Sequence, residues 1–279
     1  MKKMKLLSLA LALVMCTGIF AGCKKNAKKY VVLEENFGAE QYGIGFRVND
    51  IKLGLEVQKM MDEMIKDGKG AEISKKWFKE DILSKDAKYL KPEAKASDDD
   101  KSLETVKAKG ELVVGLDAHF PPMGFLEEGT DKVVGFDIDL AQEVCKRLGV
   151  KLKTQPIDWD TKELELNSGK IDCIWNGMSI TDERVEAMYF AKPYVSNRQI
   201  IIVPEGSDIK TKKDFSGKNV GLQKGSSSKD ALEKEEEIAK SVKEIFEYPD
   251  NVTAFMDLKA GRTDAFVVDE VVGKYLIAK

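Results

Sequence analysis

The fold is decided by the run Glu111-Leu112-Val113-Val114-Gly115-Leu116, a continuous apolar stretch that predicts a buried β-strand. Strand and helix patterns alternate on both sides of it. The neighbouring elements predicted from the pattern are a helix over 103–109, an amphipathic helix over 136–148 closed by Gly149, a strand over 150–157, a short helix over 161–167 and a buried strand over 171–178. This alternation predicts an α/β fold with a mostly parallel sheet and helices on both faces.

Two short sequences recur later in the chain in the same order. Gly217 to Leu222 echoes Gly110 to Leu116, and Leu258 to Ala265 echoes Leu166 to Cys173. The repeat predicts two lobes of similar construction. The strands expected to join the lobes lie around Arg198 to Val203 and around Tyr42 to Phe46. A cleft between two such lobes is a natural ligand site, because loops at the carboxyl ends of parallel strands converge there.

The residues before this unit carry further elements and a linker. From Leu83 to Lys101 the chain has no apolar periodicity and contains Pro92, which predicts a solvated linker. The elements expected ahead of the linker are strands at 30–33 and 42–47, a helix from Asp50 as its cap to about Lys66 with its apolar face at Leu53, Val57, Met60, Met61 and Met64, and a short helix over 71–82.

Composition excludes several classes of function. The chain has 279 residues, is 43% hydrophobic and 33% charged, and carries a formal net charge of −3. Because the two signs of charge are interspersed, nothing suggests a nucleic-acid partner. The single histidine, His119, argues against a histidine-based metal site or catalytic triad. No metal or cofactor is expected.

The N-terminus has the pattern of an export signal. A basic stretch, Met1 to Lys5, precedes the apolar run Leu6 to Phe20, which is too short for a comfortable membrane span. The signal peptide is predicted over 1–22. An ordinary signal peptide that is cleaved nearby, without lipid modification of the following cysteine, is the alternative. Two cysteines remain in the globular part, Cys145 and Cys173, which either form one disulfide or stay as two buried thiols; the helix and strand patterns around them favour thiols.

Polar side chains cluster where the predicted strands end. Arg184 supplies a guanidinium that pairs bidentately with a carboxylate, and Asp269 supplies a carboxylate for an ammonium. The other residues at these ends are Asp117, Asn176, Gly177, Ser179, Thr181 and the run Gly225 to Ser228, which opens a helix predicted over 229–239. Each alone has a simpler explanation as a surface charge, a helix cap or a capping loop. Their joint position favours a zwitterionic ligand.

The sequence resembles a known family. The motifs that carry the likeness are Gly110 to Asp117 with Phe120 to Phe125, Gly135 to Leu140, Ser179 to Arg184, Val220 to Ser227 and Phe266 to Glu270. They resemble those of bacterial polar-amino-acid solute-binding proteins, the extracytoplasmic receptors of ABC importers. The resemblance implies an α/β, two-lobed type II periplasmic-binding-protein-like fold. It also implies an importer permease as partner, a monomer, and a lipid anchor on Cys23, since Phe20-Ala21-Gly22-Cys23 resembles a lipobox.

The resemblance also implies roles for individual residues. Arg184 with the backbone amides of Ser179 and Ser227 would hold the α-carboxylate of the ligand. Asp269, the Ser179 hydroxyl and the Gly177 carbonyl would hold its α-ammonium. The remaining implied site residues are Ser226 in the serine-rich loop and, around the ligand side chain, Asp117, Phe120, Trp159, Asn176 and Gln223. A basic amino acid is favoured, with Phe120 and Trp159 on either side of it, and glutamine stays open.

The order of segments departs from that family. The segment resembling the family's carboxyl-terminal part comes first, so the order is expected to be circularly permuted with the fold intact. The expected divisions are a tether at 23–29, the family C-terminal segment at 30–82, a linker at 83–103, one lobe at 104–195 and the other at 196–279. An assembly error or degraded remnant is the rival interpretation. The rivals for function are a dehydratase-like enzyme on the same scaffold and a sensor without transport.

Overall fold

The computed structural model describes residues 29–89 and 95–279. The predicted signal, the lipidation residue Cys23 and most of the tether lie outside the described residues, as do residues 90–94 of the predicted linker. Among the described residues, no helix combines the length and apolar character needed to cross a membrane.

The strands of the described chain are mostly short, apart from the first. They are β1 Tyr30–Arg47, β2 Glu111–Leu116, β3 His119–Phe120, β4 Gly124–Leu126, β5 Val133–Val134, β6 Lys151–Pro156, β7 Cys173–Ser179, β8 Met188–Phe190, β9 Val195–Pro204, β10 Asn219–Gln223, β11 Glu244–Tyr248 and β12 Ala265–Asp269. The α-helices are α1 Ile51–Lys66, α2 Lys69–Phe78, α3 Ser102–Lys109, α4 Phe136–Leu148, α5 Lys162–Asn167, α6 Asp182–Ala187, α7 Ser227–Glu233, α8 Glu236–Ser241, α9 Asn251–Ala260 and α10 Glu270–Ile277.

Nine of these strands form one mixed sheet within the described residues. The order is β11-β10-β12-β9-β1-β7-β2-β6, and β8 pairs with β1. Strands β10, β11 and β12 are parallel to one another, as are β2, β6 and β7, whereas β9 and β1 run antiparallel to their neighbours. The sheet therefore has two parallel halves joined by two antiparallel strands. We call β6-β2-β7 the first half and β12-β10-β11 the second half.

The two halves repeat one another in detail, in agreement with the echo in the sequence. In the first half, the Asp172 carboxylate accepts a hydrogen bond from the backbone N–H of Val113 at 2.7 Å. In the second half, Asp264 accepts from the backbone N–H of Asn219 at 2.8 Å. In both, the aspartate follows a turn glycine, Gly169 or Gly261, with φ near +77° or +76°. The same hydrogen bond between a strand N–H and an aspartate after a turn glycine therefore occurs once in each half.

Strand β1 is one long strand rather than the two strands predicted at 30–33 and 42–47. Tyr30 to Val32 and Ala39 to Tyr42 pair with β9, while Tyr42 to Phe46 pairs with β7. Register shifts between Val32 and Ala39 explain the difference: the irregular ladder lets polar residues interrupt the apolar pattern without ending the strand. This strand belongs to both halves of the sheet.

Helix α1 buries the predicted apolar face, since Leu53, Val57 and Met64 have no exposed surface. The prediction that Asp50 caps this helix is wrong: Asp50 lies at the N-cap position, but its carboxylate makes no cap bond and pairs with Arg47 Nε at 2.6 Å. The nearby guanidinium offers a stronger, charge-assisted partner than a backbone amide.

Other boundaries also differ from the predictions. The helix predicted over 71–82 lies at Lys69–Phe78, ending where Lys79 takes the left-handed conformation. The helix predicted over 229–239 is broken into α7 and α8 at Lys234 and Glu235. Cys145 and Cys173 are both buried free thiols rather than a disulfide. Burial raises the pKa of Cys145 to about 12, so this thiol is unreactive at neutral pH.

Candidate functional site

The ends of β2, β7, β10 and β12 meet at the junction of the two halves. Asp117, which follows β2, accepts a bond on Oδ2 from Gln223 Nε2 of β10 at 2.7 Å. The backbone N–H of Asp117 donates to Asn176 Oδ1 at 3.0 Å, and Asn251 Nδ2 donates to Gln223 Oε1 at 2.8 Å. These polar side chains therefore form one network that crosses from the first half to the second.

Arg184 lies in α6, where Thr181 caps the helix by accepting from the Arg184 backbone N–H. Its side chain is buried, and burial lowers its pKa. Nη1 donates to the carbonyl of Ser179 at 2.8 Å and Nη2 to the carbonyl of Gly225 at 3.2 Å. The guanidinium is thus fixed by two backbone oxygens, one from each half of the sheet.

A second buried cation, Lys162, lies beside Arg184. Its Nζ donates to the same Gly225 carbonyl at 3.0 Å and to the Trp159 carbonyl at 3.1 Å. Burial, followed by the charge of Arg184, lowers its pKa. Sequence reasoning missed Lys162 because a lysine at the start of a short helix normally faces solvent. Two cations converging on one carbonyl make this end of the junction favourable for an anion.

Asp269 ends β12 and is 3% exposed. Its Oδ1 accepts hydrogen bonds from Tyr42 Oη at 2.7 Å, Asn197 Nδ2 at 2.7 Å and Gln199 Nε2 at 3.0 Å. Burial, and next the negative charge of Glu40, raise the pKa of Asp269 to about 7. The carboxylate is therefore poised to gain from a nearby positive charge.

Glu40 on β1 is a residue that sequence reasoning missed. Its Oε2 accepts from Ser179 Oγ at 2.6 Å, Gln199 Nε2 at 2.9 Å, Asn197 Nδ2 at 3.2 Å and Ser227 Oγ at 3.3 Å. The only sequence signal was an acidic residue two positions before Tyr42 in the expected joining strand. Because the strand pattern there is irregular, the sequence did not predict to which face of the sheet the Glu40 side chain points.

The serine residues link these groups. Ser227 Oγ donates to Ser179 Oγ at 3.0 Å across the junction, and Ser228 Oγ donates to Gln199 Oε1 at 2.6 Å. Ser226 turns the other way, donating to the carbonyl of Gln223 at 2.7 Å. Ser179 and Ser227 therefore lie together at the predicted site, while Ser226 stabilises the loop after β10.

Gly177 lies where only glycine fits. Its φ is +55°, and a Cβ there would lie 2.8 Å from Phe120 and 3.0 Å from Tyr42. Its backbone N–H donates to Asp137 Oδ2 at 2.7 Å, and Tyr194 Oη donates to Asp137 Oδ1 at 2.9 Å. Burial raises the pKa of Asp137 to about 7. Phe120 and Gly177 are thus brought together, and Asp137 supports them from behind.

A cavity of about 730 Å³ opens beside Asp117 at the same junction. Its wall includes Trp159 and His119 from the first half and Asp250 from the second. The Trp159 ring is covered by Lys162 Nζ at 5.2 Å from the ring centroid, so one face of the indole already has a cation. The Asp117 carboxylate, whose Oδ1 lies 3.7 Å from His119 Nδ1, raises the pKa of His119. Within the described residues, no three His, Cys, Asp or Glu side chains are grouped to hold a metal ion.

The chain is similar to several characterised proteins. It is 34% identical over 184 residues to the L-cystine-binding protein TcyJ of Escherichia coli strain K12, covering 65% of this chain and 67% of that protein. It also matches a solved ABC uptake transporter substrate-binding protein from Streptococcus pneumoniae with bound histidine, at 39% identity and a TM-score of 0.62, over 65% of this chain and 74% of that one.

A third likeness is to an ancestral arginine-binding protein, solved with arginine and with glutamine. Identity is 43% and the TM-score 0.57 in both cases, covering 61% of this chain and 74% or 73% of the solved chains. The chain thus spans about two thirds to three quarters of these relatives. The model of the bacterial extracellular solute-binding proteins, family 3, matches residues 112–266, more than half of the chain. The protein belongs to the bacterial extracellular solute-binding proteins of family 3.

Proposed function

We propose that this protein is an extracytoplasmic receptor that binds a free polar amino acid between its two lobes. One observation carries the proposal: a buried cation and a buried anion face the same junction, each without a charged partner. Within residues 29–89 and 95–279, neither Arg184 nor Asp269 has an oppositely charged side chain within 4.0 Å. Buried charges in proteins are normally paired, so a zwitterionic ligand would complete both.

In this proposal each pole of the ligand has its own partners. The α-carboxylate binds Arg184 and the backbone amides of Ser179 and Ser227. The α-ammonium binds Asp269, the Ser179 hydroxyl and the carbonyl of Gly177. The position of Arg184 between carbonyl oxygens of both halves supports the first pole, and the burial of the Asp269 carboxylate supports the second. Since both charged groups serve to hold the ligand, we propose binding without catalysis.

For the ligand side chain, a basic amino acid is favoured and glutamine is second. Asp117 favours a cation, whereas Gln223 and Asn176 suit an amide equally well. Asn176 Nδ2 is buried without a hydrogen-bond partner in the described structure, which supports an acceptor on the ligand. The relatives are described with cystine, histidine, arginine and glutamine, a range that includes both classes.

We propose delivery to an ABC importer, which membership of the family supports. The lobes would close around the ligand and present a shape that the permease subunits recognise, so that binding shifts an open–closed equilibrium. Hydrogen bonds already cross the junction, from Gln223 to Asp117 and from Arg184 to Gly225. We propose a monomer held at the cell membrane by a lipid on Cys23, as the lipobox-like sequence implies. Globomycin treatment of expressing cells, followed by mass spectrometry, tests the anchor.

We also propose that the segments are circularly permuted with the fold intact. The pairing of β1 with β9 and β7 supports this, because β1 completes the centre of the sheet although it precedes the region matched by the family model. Permutation is tolerated where exposed linkers join the old ends. A chain rearranged to begin near Lys95, with Lys279 joined to Lys29, should fold and bind as the present chain does. Loss of binding in a folded rearranged chain would contradict the proposal.

The function is tested by thermal-shift screening of the wild-type protein against the twenty amino acids. A ligand that binds only the native state raises the melting temperature. Arg184→Ala and Asp269→Ala should each remove that rise, whereas Lys218→Ala and Asp208→Ala, which break a surface ion pair away from the junction, should keep it. A full rise in either site variant refutes the site. An NMR time course with the bound amino acid should show no product; product formation would favour the enzyme.

A further inference from the structure

We propose that Glu40 is a ligand-binding residue, and that it pairs with Asp269 to form a two-carboxylate site for the α-ammonium of the ligand. The inference rests on the proposed amino-acid-binding function and identifies a determinant of that same site. It depends on how three polar side chains from the joining strands share their hydrogen bonds.

Glu40 enters the site from β1, one of the two strands that connect the halves of the sheet. It lies opposite Asn197 of β9 in the antiparallel register. Its Oε2 accepts bonds from a serine of each half, Ser179 and Ser227, at 2.6 Å and 3.3 Å. The Glu40 carboxylate therefore connects the Ser179 hydroxyl of the first half to the Ser227 hydroxyl of the second half.

The same two amides hold both carboxylates. Asn197 Nδ2 donates to Glu40 at 3.2 Å and to Asp269 at 2.7 Å. Gln199 Nε2 donates to Glu40 at 2.9 Å and to Asp269 at 3.0 Å. Because each amide nitrogen bonds to both acids, the carboxylates of Glu40 and Asp269 lie close together.

Asn197 provides a second, independent indication of a ligand. The residue is 6% exposed, its Nδ2 points between the two acids, and its Oδ1 has no hydrogen-bond partner in the described structure. A buried carbonyl oxygen without a partner costs free energy unless a donor arrives. An ammonium at this position supplies such a donor.

The charges lead to the same conclusion. Among the described residues, Glu40 has no cationic side chain within 4.0 Å, as is true of Asp269. The titratable and charged groups facing the pair are Tyr42 of β1 and Arg184 of α6. Two acids in one partly buried site repel each other unless a cation lies between them. A primary ammonium has three N–H groups, enough for Glu40, Asp269 and one neutral oxygen acceptor of the site.

The ligand class follows from this arrangement. The site selects amino acids with a free α-ammonium, and Glu40 strengthens the discrimination against analogues that lack it. A desamino analogue brings no positive charge to the gap, so it gains nothing from Glu40. Glu40 therefore contributes to affinity for the amino acid and not to affinity for its desamino analogue.

Isothermal titration calorimetry on the full-length protein tests this role. The probes are the tightest-binding amino acid of the screen and its desamino analogue. Glu40→Gln should weaken binding of the amino acid at least tenfold and change binding of the analogue by less than about twofold. Glu34→Gln removes an exposed carboxylate from the same strand and should change neither.

Two further measurements separate a binding role from a structural one. Glu40→Asp keeps the charge and should bind the amino acid more tightly than Glu40→Gln does. In the wild type, titrations at pH 7 in buffers of different ionisation enthalpy should show release of about half a proton, because the ammonium ionises Asp269, whose pKa is about 7. Wild-type binding with no proton release would contradict the charging of Asp269 by the ligand ammonium, which the carboxylate pair requires.

The outcomes distinguish the two levels of the proposal. If the wild type binds no amino acid, the proposed function fails. If the wild type binds and Glu40→Gln binds equally well, or loses both probes to the same extent, only the role of Glu40 is overturned.

Discussion

Replacing Asp269 with asparagine should stabilise the unliganded protein at high pH while it removes ligand binding. In the folded protein, burial and the charge of Glu40 raise the pKa of Asp269 from its ordinary 3.8 to about 7. Between these values the folded state binds more protons than the unfolded state, so the free energy of unfolding falls as pH rises. The contribution of the protonated Asp269 carboxyl to the free energy of unfolding is fully present below pH 3.8 and is lost as pH rises through 7.

The size of the effect follows from the two pKa values. Each unit of pKa difference corresponds to about 1.4 kcal/mol, so the carboxyl lowers wild-type stability by about 4 kcal/mol at pH 8. Roughly 2.5 kcal/mol of this loss occurs between pH 5 and pH 8. Asparagine has the same shape and does not ionise, so this part of the pH dependence should disappear in Asp269→Asn.

The assay is urea unfolding of wild type and Asp269→Asn at pH 5 and pH 8, followed by tryptophan fluorescence. The stability of the variant relative to wild type should improve by roughly 2.5 kcal/mol from pH 5 to pH 8. The contribution of Asp137, which also has a raised pKa, is common to both proteins and cancels. Asp208→Asn is the control: Lys218 lowers the pKa of Asp208, so its relative stability should not improve with pH. An equal difference between Asp269→Asn and wild type at both pH values would refute the reasoning.

Two further predictions concern packing. Met61 in α1 is 2% exposed, so Met61→Ala should cost about 2–5 kcal/mol of unfolding free energy in urea, while Met256→Ala at a 52% exposed position should stay within about 0.5 kcal/mol; equal effects would mean that α1 is not part of the core. Gly135 has φ +146°, and a Cβ there would lie 2.1 Å from the Met123 carbonyl oxygen, so Gly135→Ala should abolish soluble expression. A Cβ at Gly149, where φ is +75°, would have no atom within 4 Å, so Gly149→Ala should lower the free energy of unfolding by only about 1–2 kcal/mol. Similar losses of stability for both glycine variants would contradict the steric argument.

The regular elements around the first half of the sheet were predictable because their signals are local. Strand β2 and helix α4 have the predicted bounds, since a continuous apolar run, a helical period and a left-handed Gly149 at the helix end act within a few residues. The echo between Asp172 and Asp264 was also local and holds in the structure. The end of α2 and the break between α7 and α8 were not predictable from periodicity.

For the candidate site, the sequence indicated residue types at strand ends, and the tertiary structure decided which of them meet. Arg184, Ser179, Ser227 and Asp269 were each expected near the cleft. The bonds from Arg184 to Gly225 and from Ser227 to Ser179 cross the junction, and Asp269 accepts from Asn197 of the joining strand β9. The position of Lys162 beside Arg184 depends on the Gly225 carbonyl, which is distant in sequence.

The sequence by itself determined the family, the α/β alternation and the two similar halves, because these depend on apolar period and turn residues along a short stretch of chain. Only the tertiary structure decided that β1 is a single strand at the centre of the sheet and that Glu40 faces Asp269. The physical reason is register: a strand with irregular pairing can direct a side chain to either face, and the pairing is fixed by β7 and β9, far away in sequence.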